Sequence, residues 1–192
     1  MTDFAGLDQY TELLEKIDAW EWGQAKRLAM WIRGNLHPKS VIDIGCASGL
    51  YLVPFLKVGI EVLGVDGAPT AGSRLSPEQY LRWDLRWPFP LVHKFDLCIC
   101  LETAEHIEPE YSDTFIQMVA SSADIIVFSA AAPGQGGQGH YTLREKSFWL
   151  EKFSAYGFSL HALNEKFGYF VATNAHQCFH PWLINNSMIL SK

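Results

Sequence analysis

A chain of 192 residues with 48% hydrophobic content can bury one sizeable core without disulfides or a structural metal, and is read as a single domain over residues 1–192. Its net charge of -6 and scattered basic residues (Lys26-Arg27, Arg82, Arg86, Arg144, Lys146) offer no basic surface to a phosphate backbone, so nucleic acid is a disfavoured substrate. Residues 1–14 lack the basic start and apolar core of a leader, no stretch approaches the ~18 apolar residues of a membrane span, and Cys46, Cys98, Cys100 and Cys178 show no C-x-x-C spacing. A soluble protein of the reduced cytoplasm is expected, with its oligomeric state left open.

In chain order, Tyr10, Leu13, Leu14 and Ile17 recur at helical spacing, and Ala25, Leu28, Ala29 and Ile32 repeat the pattern until His37-Pro38 stops it. Two amphipathic helices are expected within residues 1–37, with Trp20 and Trp22 packed at a hinge between them. From residue 38 the rhythm changes to apolar runs at 41–44, 61–65, 95–101 and 124–129 separated by helical stretches, including one at about 50–58. This alternation implies a parallel sheet covered on both faces. Residues 80–83 form a weaker strand candidate, ended by Asp84. Thr142-Leu-Arg-Glu145 has capping-box spacing, so a helix is expected over about 143–156, ended by Gly157. Residues 158–163 and 187–190 read as the last strands.

The stretch Val41-Ile-Asp43-Ile-Gly45-Cys46-Ala47-Ser-Gly49 runs a strand into a loop whose small residues at 45, 47 and 49 let a ligand approach the backbone. About twenty residues on, the second strand ends at Asp66, where a carboxylate can accept from both hydroxyls of a ribose. Glycine loop plus distal acid indicates an adenosine-containing cofactor. Asp43 decides the kind. A dinucleotide sets its pyrophosphate against this turn, where a nearby carboxylate repels it. S-adenosylmethionine carries no phosphate, and its ammonium and sulfonium turn the same acid into an attraction.

These residues resemble the class I S-adenosylmethionine-dependent methyltransferases, whose first motif is acid, glycine, small residue, glycine; Ala47 stands where a glycine is more usual. The resemblance runs from about residue 40 to the C-terminus. Trp83-Asp84-Leu85 is similar to the third-strand motif that recognises adenine, and Phe95 to Ile107, with Glu102-x-x-Glu105-His106, is similar to the fourth-strand motif of many small-molecule methyltransferases. Residues 127–149 and the ending Pro181-Trp-Leu-Ile-Asn-Asn-Ser-Met-Ile-Leu190 resemble a branch of small methyltransferase-domain proteins of bacteria and their phages. The resemblance implies an α/β, Rossmann-like fold with a mostly parallel seven-stranded sheet, helices on both faces, and N-terminal helices. It also implies cofactor contacts at Asp43, Gly45, Cys46, Ala47, Gly49, Asp66, Gly67, Asp84, Leu85 and Leu101.

Ligands of such sheets lie beyond the carboxyl ends of the strands, where residues 102–106 and the loop 133–141 emerge. Methyl transfer is an in-line displacement, and a hydroxyl acceptor also needs a base to take its proton. His106 and His140 are the candidates, each with a blander alternative as a loop or helix-start residue; Glu102 is expected to orient cofactor or substrate, and Glu105 and Glu108 to be solvated helix-start acids. Tyr141, Phe148 and Trp149 are placed near the acceptor. The loop spelling Gly134-Gln-Gly136-Gly-Gln-Gly139 matches a dinucleotide fingerprint, but no helix starts within its glycines, and it is read as a mobile substrate-side lid presenting His140. His176-Gln-Cys178-Phe-His180 lacks established zinc spacing, so no metal is expected.

The leading reading is therefore a methyltransferase acting on a hydroxyl, or less readily an amine, of a small or glycan-like molecule. A non-catalytic cofactor-binding module and a nicotinamide-dependent oxidoreductase stand as alternatives, the latter disfavoured by Asp43.

Overall fold

The computed structural model describes residues 11–174 and 181–192. Helix α1, Thr11–Leu36, runs unbroken through the position where a hinge between two helices was expected. No proline interrupts it, and the two glycines within it, Gly23 and Gly34, weaken a helix without stopping one. Trp22 stays on the helix surface with the ammonium groups of Lys26 and Lys57 over its ring at 5.3 and 4.8 Å. The helix ends where His37 turns left-handed (φ 50°) ahead of Pro38, which cannot continue it. Ala25, Leu28, Ala29 and Ile32 are all buried, as their spacing predicts; Tyr10 lies outside the described residues.

The described residues fall into two compact units that divide after Leu85. In the first, strands β1 (Ser40–Ile44), β2 (Glu61–Asp66) and β3 (Tyr80–Arg82) lie in the order β3-β2-β1, all parallel. Every residue of β1 is buried, which is why, after Ser40, its sequence is an apolar run broken only by Asp43. The helix expected over about 50–58 contracts to α2, Val53–Leu56.

In the second unit, β4 (Leu97–Leu101), β5 (Ile125–Ser129), β6 (Ser159–Leu160) and β7 (Met188–Ser191) follow the order β4-β5-β7-β6. Strands β4 and β5 are parallel, while β7 runs antiparallel to both β5 and β6. The seven strands are thus mostly parallel. Helices α3 (Ser112–Ser122), α4 (Lys146–Ser154), α5 (Asn164–Thr173) and α6 (Pro181–Asn186) accompany them. The core of this unit includes Phe128 of β5 against Trp149 and Phe153 of α4, with ring centroids 5.7 and 5.1 Å away.

Two further boundaries differ from expectation. The strand expected over 158–163 stops after Leu160 because the chain turns into α5. The capping box does not form: the Thr142 hydroxyl donates instead to the carbonyl of Ile107 at 2.6 Å, and α4 begins three residues later with Glu145 as its N-cap. Among the described residues no helix is long and apolar enough to cross a membrane.

Candidate active site

In the first unit, β1 ends in a loop that returns on itself around the end of β2. Gly45 and Cys46 both donate their N–H to the Val65 carbonyl, at 2.8 and 3.2 Å. Gly45 and Gly49 adopt φ of 83° and 86°, which the turn requires and glycine supplies without steric cost. Ala47 adopts φ 49°, so its replacement of the usual glycine costs backbone strain.

The Asp66 carboxylate closes this loop. Its Oδ2 accepts from the Ala47 N–H at 2.9 Å and its Oδ1 from the Ala68 N–H at 2.8 Å. The carboxylate keeps lone-pair capacity for a ligand. Burial raises the Asp66 pKa, against the pull of the backbone N–H groups of Ala68, Ala47 and Gly67. Asp43 is 3% exposed, and its pKa stands well above the usual carboxylate range, first through burial and then through the charge of Asp66. A small loop flanked by two reluctant carboxylates favours a cationic ligand and disfavours an anionic one. Of the other residues expected to contact a cofactor here, Cys46, Gly67, Asp84 and Leu85 are buried. Leu101 belongs to the second unit and is half-buried at the end of β4.

The second unit gathers the residues expected to do chemistry. Glu102, just past β4, holds φ 48°, a conformation that a non-glycine residue keeps only when its surroundings enforce it. Its N–H donates to the carbonyl and hydroxyl oxygens of Ser129, Gln135 donates to its Oε2 at 2.7 Å, and Asn186 donates to the Gln135 side-chain oxygen at 2.9 Å. Burial raises the Glu102 pKa, with Gln135, Ser129 and Asn186 offsetting part of the rise.

The loop 133–141 is docked rather than open. The N–H groups of Tyr141 and Thr142 both donate to the Glu105 carbonyl, at 2.8 and 3.0 Å. His106 donates through Nδ1 to the Gly139 carbonyl at 3.0 Å; because a carbonyl only accepts, the proton sits on Nδ1 and the lone pair on Nε2. The His106 and His140 rings meet edge to face, with centroids 4.9 Å apart. A Cβ at Gly137 would come within 2.2 Å of the His140 ring, so glycine at 137 makes room for that imidazole.

Glu105 departs most from expectation. It is fully buried, not solvated, because the loop folds over it. Neither carboxylate oxygen makes a hydrogen bond of ordinary geometry. Burial, then the charge of Glu102, pushes its pKa up to about 8, and the nearby N–H groups of Glu105 and Ala131 offset this only in part. The His106 pKa is pushed down to about 4, chiefly by burial, opposed by the Gly139 carbonyl and assisted by His140. One ligand atom each from Glu105, His106 and His140 lies within 4.8 Å of the others.

Trp149, expected near the acceptor, is instead a core residue at 1% exposure. Phe148 lies beneath Arg144 and Lys152, and Tyr141 is half-exposed. Sequence reasoning missed Gln135 and Asn186, of which only Gln135 carried a signal, by lying in the glycine loop, and it read Thr142 as a helix cap. His176 to His180 lie outside the described residues.

Residues 42–123 match the family model described as a methyltransferase domain. Over that stretch, less than half of the chain, the sequence is similar to methyltransferase domains. The chain is also 32% identical over 74 residues to the ubiquinone biosynthesis O-methyltransferase of Nitrobacter winogradskyi, covering 35% of this chain and 28% of that protein. The chain thus spans under a third of the curated relatives it matches. The domain's fold is shared with DesVI of Streptomyces venezuelae, at a TM-score of 0.67 and 14% identity over 100% of this chain and 99% of that one. It is shared too with the SAM-bound amino pentose methyltransferase of Micromonospora echinaspora, at a TM-score of 0.66 and 14% identity over 90% and 91% of the two chains. The Rossmann-like methyltransferase fold implied by the sequence is therefore the fold of this protein.

Proposed function

We propose that this protein is an S-adenosylmethionine-dependent methyltransferase that moves a methyl group to a hydroxyl oxygen, less readily an amine, of a small or glycan-like molecule. The observation that carries the reading is the turn at 45–49 with Asp43 buried behind it and Asp66 hydrogen-bonded across it. This arrangement suits a cationic cofactor bearing a ribose and repels a pyrophosphate. The likeness to O-methyltransferases and to an amino pentose methyltransferase supports a small-molecule acceptor.

In the proposed step an acceptor oxygen lone pair attacks the methyl carbon. The carbon–sulfur bond breaks with its electrons going to sulfur, leaving S-adenosylhomocysteine, and the hydroxyl proton leaves to the His106–His140 pair. The two imidazoles pack against each other, and Glu102 holds the side chain of Gln135, whose backbone carbonyl stands 3.4 Å from Nδ1 of His140. Asp43, Gly45, Cys46, Ala47, Gly49, Asp66, Gly67, Asp84, Leu85 and Leu101 are the proposed cofactor contacts. The two compact units together make up one methyltransferase domain, and the buried thiols of Cys46, Cys98 and Cys100 fit a reducing cytoplasm.

Incubation with methyl-labelled cofactor and a panel of hydroxyl and amine acceptors tests the reading. Label transfer to a small molecule, strongly reduced by His140→Ala, is expected. Tight cofactor binding with no transfer to any acceptor would favour a non-catalytic binding module.

A further inference from the structure

We infer that Glu105, His106 and His140 form a binding site for a divalent transition-metal ion. Three observations converge. The ligand atoms of the three residues lie within 4.8 Å of one another. At metal–ligand bonds of about 2.0–2.2 Å, ligands of one ion stand roughly 3–4 Å apart, so side-chain rotations that draw these atoms together by about 1 Å bring the three into one coordination shell.

The second observation is the Glu105 carboxylate, which is fully buried with neither oxygen in a hydrogen bond of ordinary geometry, only the N–H groups of Glu105 and Ala131 standing near it. Buried charges in proteins are paired or coordinate metals. No Lys or Arg in the sequence lies between residues 95 and 143, so neither the turn nor the loop that enclose Glu105 brings a cationic side chain to it. What they bring is two imidazoles. The third observation is that the site is built deliberately from its surroundings: Tyr141 and Thr142 clamp the loop onto the Glu105 carbonyl, and backbone carbonyls of Gly139 and Gln135 stand 3.0 and 3.4 Å from Nδ1 of His106 and His140. A carbonyl on one ring nitrogen fixes the proton there and directs the lone pair of the other outward, the arrangement that orients histidine ligands.

Two imidazoles and one carboxylate suit manganese, iron, cobalt or zinc better than magnesium or calcium, which prefer all-oxygen shells. Three protein ligands also leave positions open on the ion. The ion's part in catalysis rests on the proposed methyl transfer, whereas its binding does not. Glu105, His106 and His140 would hold the ion, the histidines as ligands rather than as the direct base, and the ion would supply Lewis acidity that lowers the pKa of a hydroxyl acceptor and eases loss of its proton to solvent.

The test uses the full chain freed of metal with a chelator, then titrated with Mn2+ or Co2+ alone in a calorimeter, with the cobalt visible spectrum as a second readout. One equivalent should bind per chain, with cobalt giving the intense bands of a low-symmetry nitrogen and oxygen site. Glu105→Gln and, independently, His140→Ala on the part-exposed loop should each weaken binding by at least about tenfold. The triple variant His176→Ala, Cys178→Ser, His180→Ala should bind as the parent does. Absence of binding, binding undiminished in either Glu105→Gln or His140→Ala, or binding lost in the triple variant would overturn the inference, as would Mg2+ displacing Mn2+ at equal concentration. Cofactor binding and label transfer by the chelated protein are measured beside it; transfer at full rate without metal would refute the ion's catalytic part while leaving the methyltransferase reading intact.

Discussion

The N–H of Ala47 donates to Oδ2 of Asp66 at 2.9 Å, tying the loop after the first strand to the end of the second across nineteen residues of sequence. The alanine does so from a left-handed backbone, φ 49°, that glycine would hold without strain.

Ala47→Gly is therefore expected to raise stability by about 1 kcal/mol, the usual cost of a side chain in this conformation, with cofactor affinity unchanged or improved. Urea denaturation of the two proteins measures the difference. An equal or lower midpoint for the glycine variant would show that the strain is relieved elsewhere.

Asp66→Asn presents an amide NH2 to one of two backbone N–H donors that now share the carboxylate. It is expected to destabilise by about 1–3 kcal/mol and to raise the cofactor KM far more than it lowers kcat. Steady-state kinetics with saturating acceptor separates the two; a fall in kcat alone would move Asp66 away from the cofactor.

Cofactor affinity should rise with pH. Burial holds the Asp43 and Asp66 pKa values above the ordinary carboxylate range. For such groups the folded state binds protons more tightly than the unfolded one, so their contribution to stability is full below the unfolded pKa and is lost as pH rises through the folded pKa. A cationic ligand favours the ionised carboxylates, so its binding expels protons and tightens as pH climbs above the ordinary carboxylate range toward the raised values. Calorimetry in two buffers of different ionisation enthalpy reads that release, and a pH-independent affinity without proton exchange would contradict it.

At Gly137 a Cβ would strike the His140 ring. Gly137→Ala should displace that imidazole and cut transfer severalfold, while stability stays within about 0.5 kcal/mol because residue 137 is exposed on the loop. Thr142→Val behaves in the opposite way: it strands the Ile107 carbonyl that the hydroxyl satisfies, and should cost about 1–3 kcal/mol.

The strands were legible because β1, β2, β4 and β5 are buried apolar runs bounded by turn residues, and the cofactor loop because glycine spacing and carboxylate placement are local. What escaped was long-range. Thr142 reads as a helix cap until the Ile107 carbonyl, 35 residues earlier, takes its hydroxyl. Glu105 reads as a solvated acid until the loop docks on its carbonyl. Trp149 reads as a pocket aromatic until Phe128 packs against it. The supposed hinge at Trp20 and Trp22 failed for a local reason, since bulky aromatics do not end a helix that lacks proline or a competing cap. Asn186 lies 51 residues from Gln135, to which it donates, and nothing in the sequence links the two.

The central claim is that the loop at 45–49 holds a cationic, ribose-bearing cofactor rather than a dinucleotide. Titration calorimetry of the purified chain with S-adenosylmethionine and with NAD, repeated on Asp43→Asn, tests it most directly. The account predicts saturable binding of S-adenosylmethionine, weakened by Asp43→Asn, and far weaker binding of NAD; tighter binding of NAD, or S-adenosylmethionine affinity indifferent to Asp43→Asn, would contradict it.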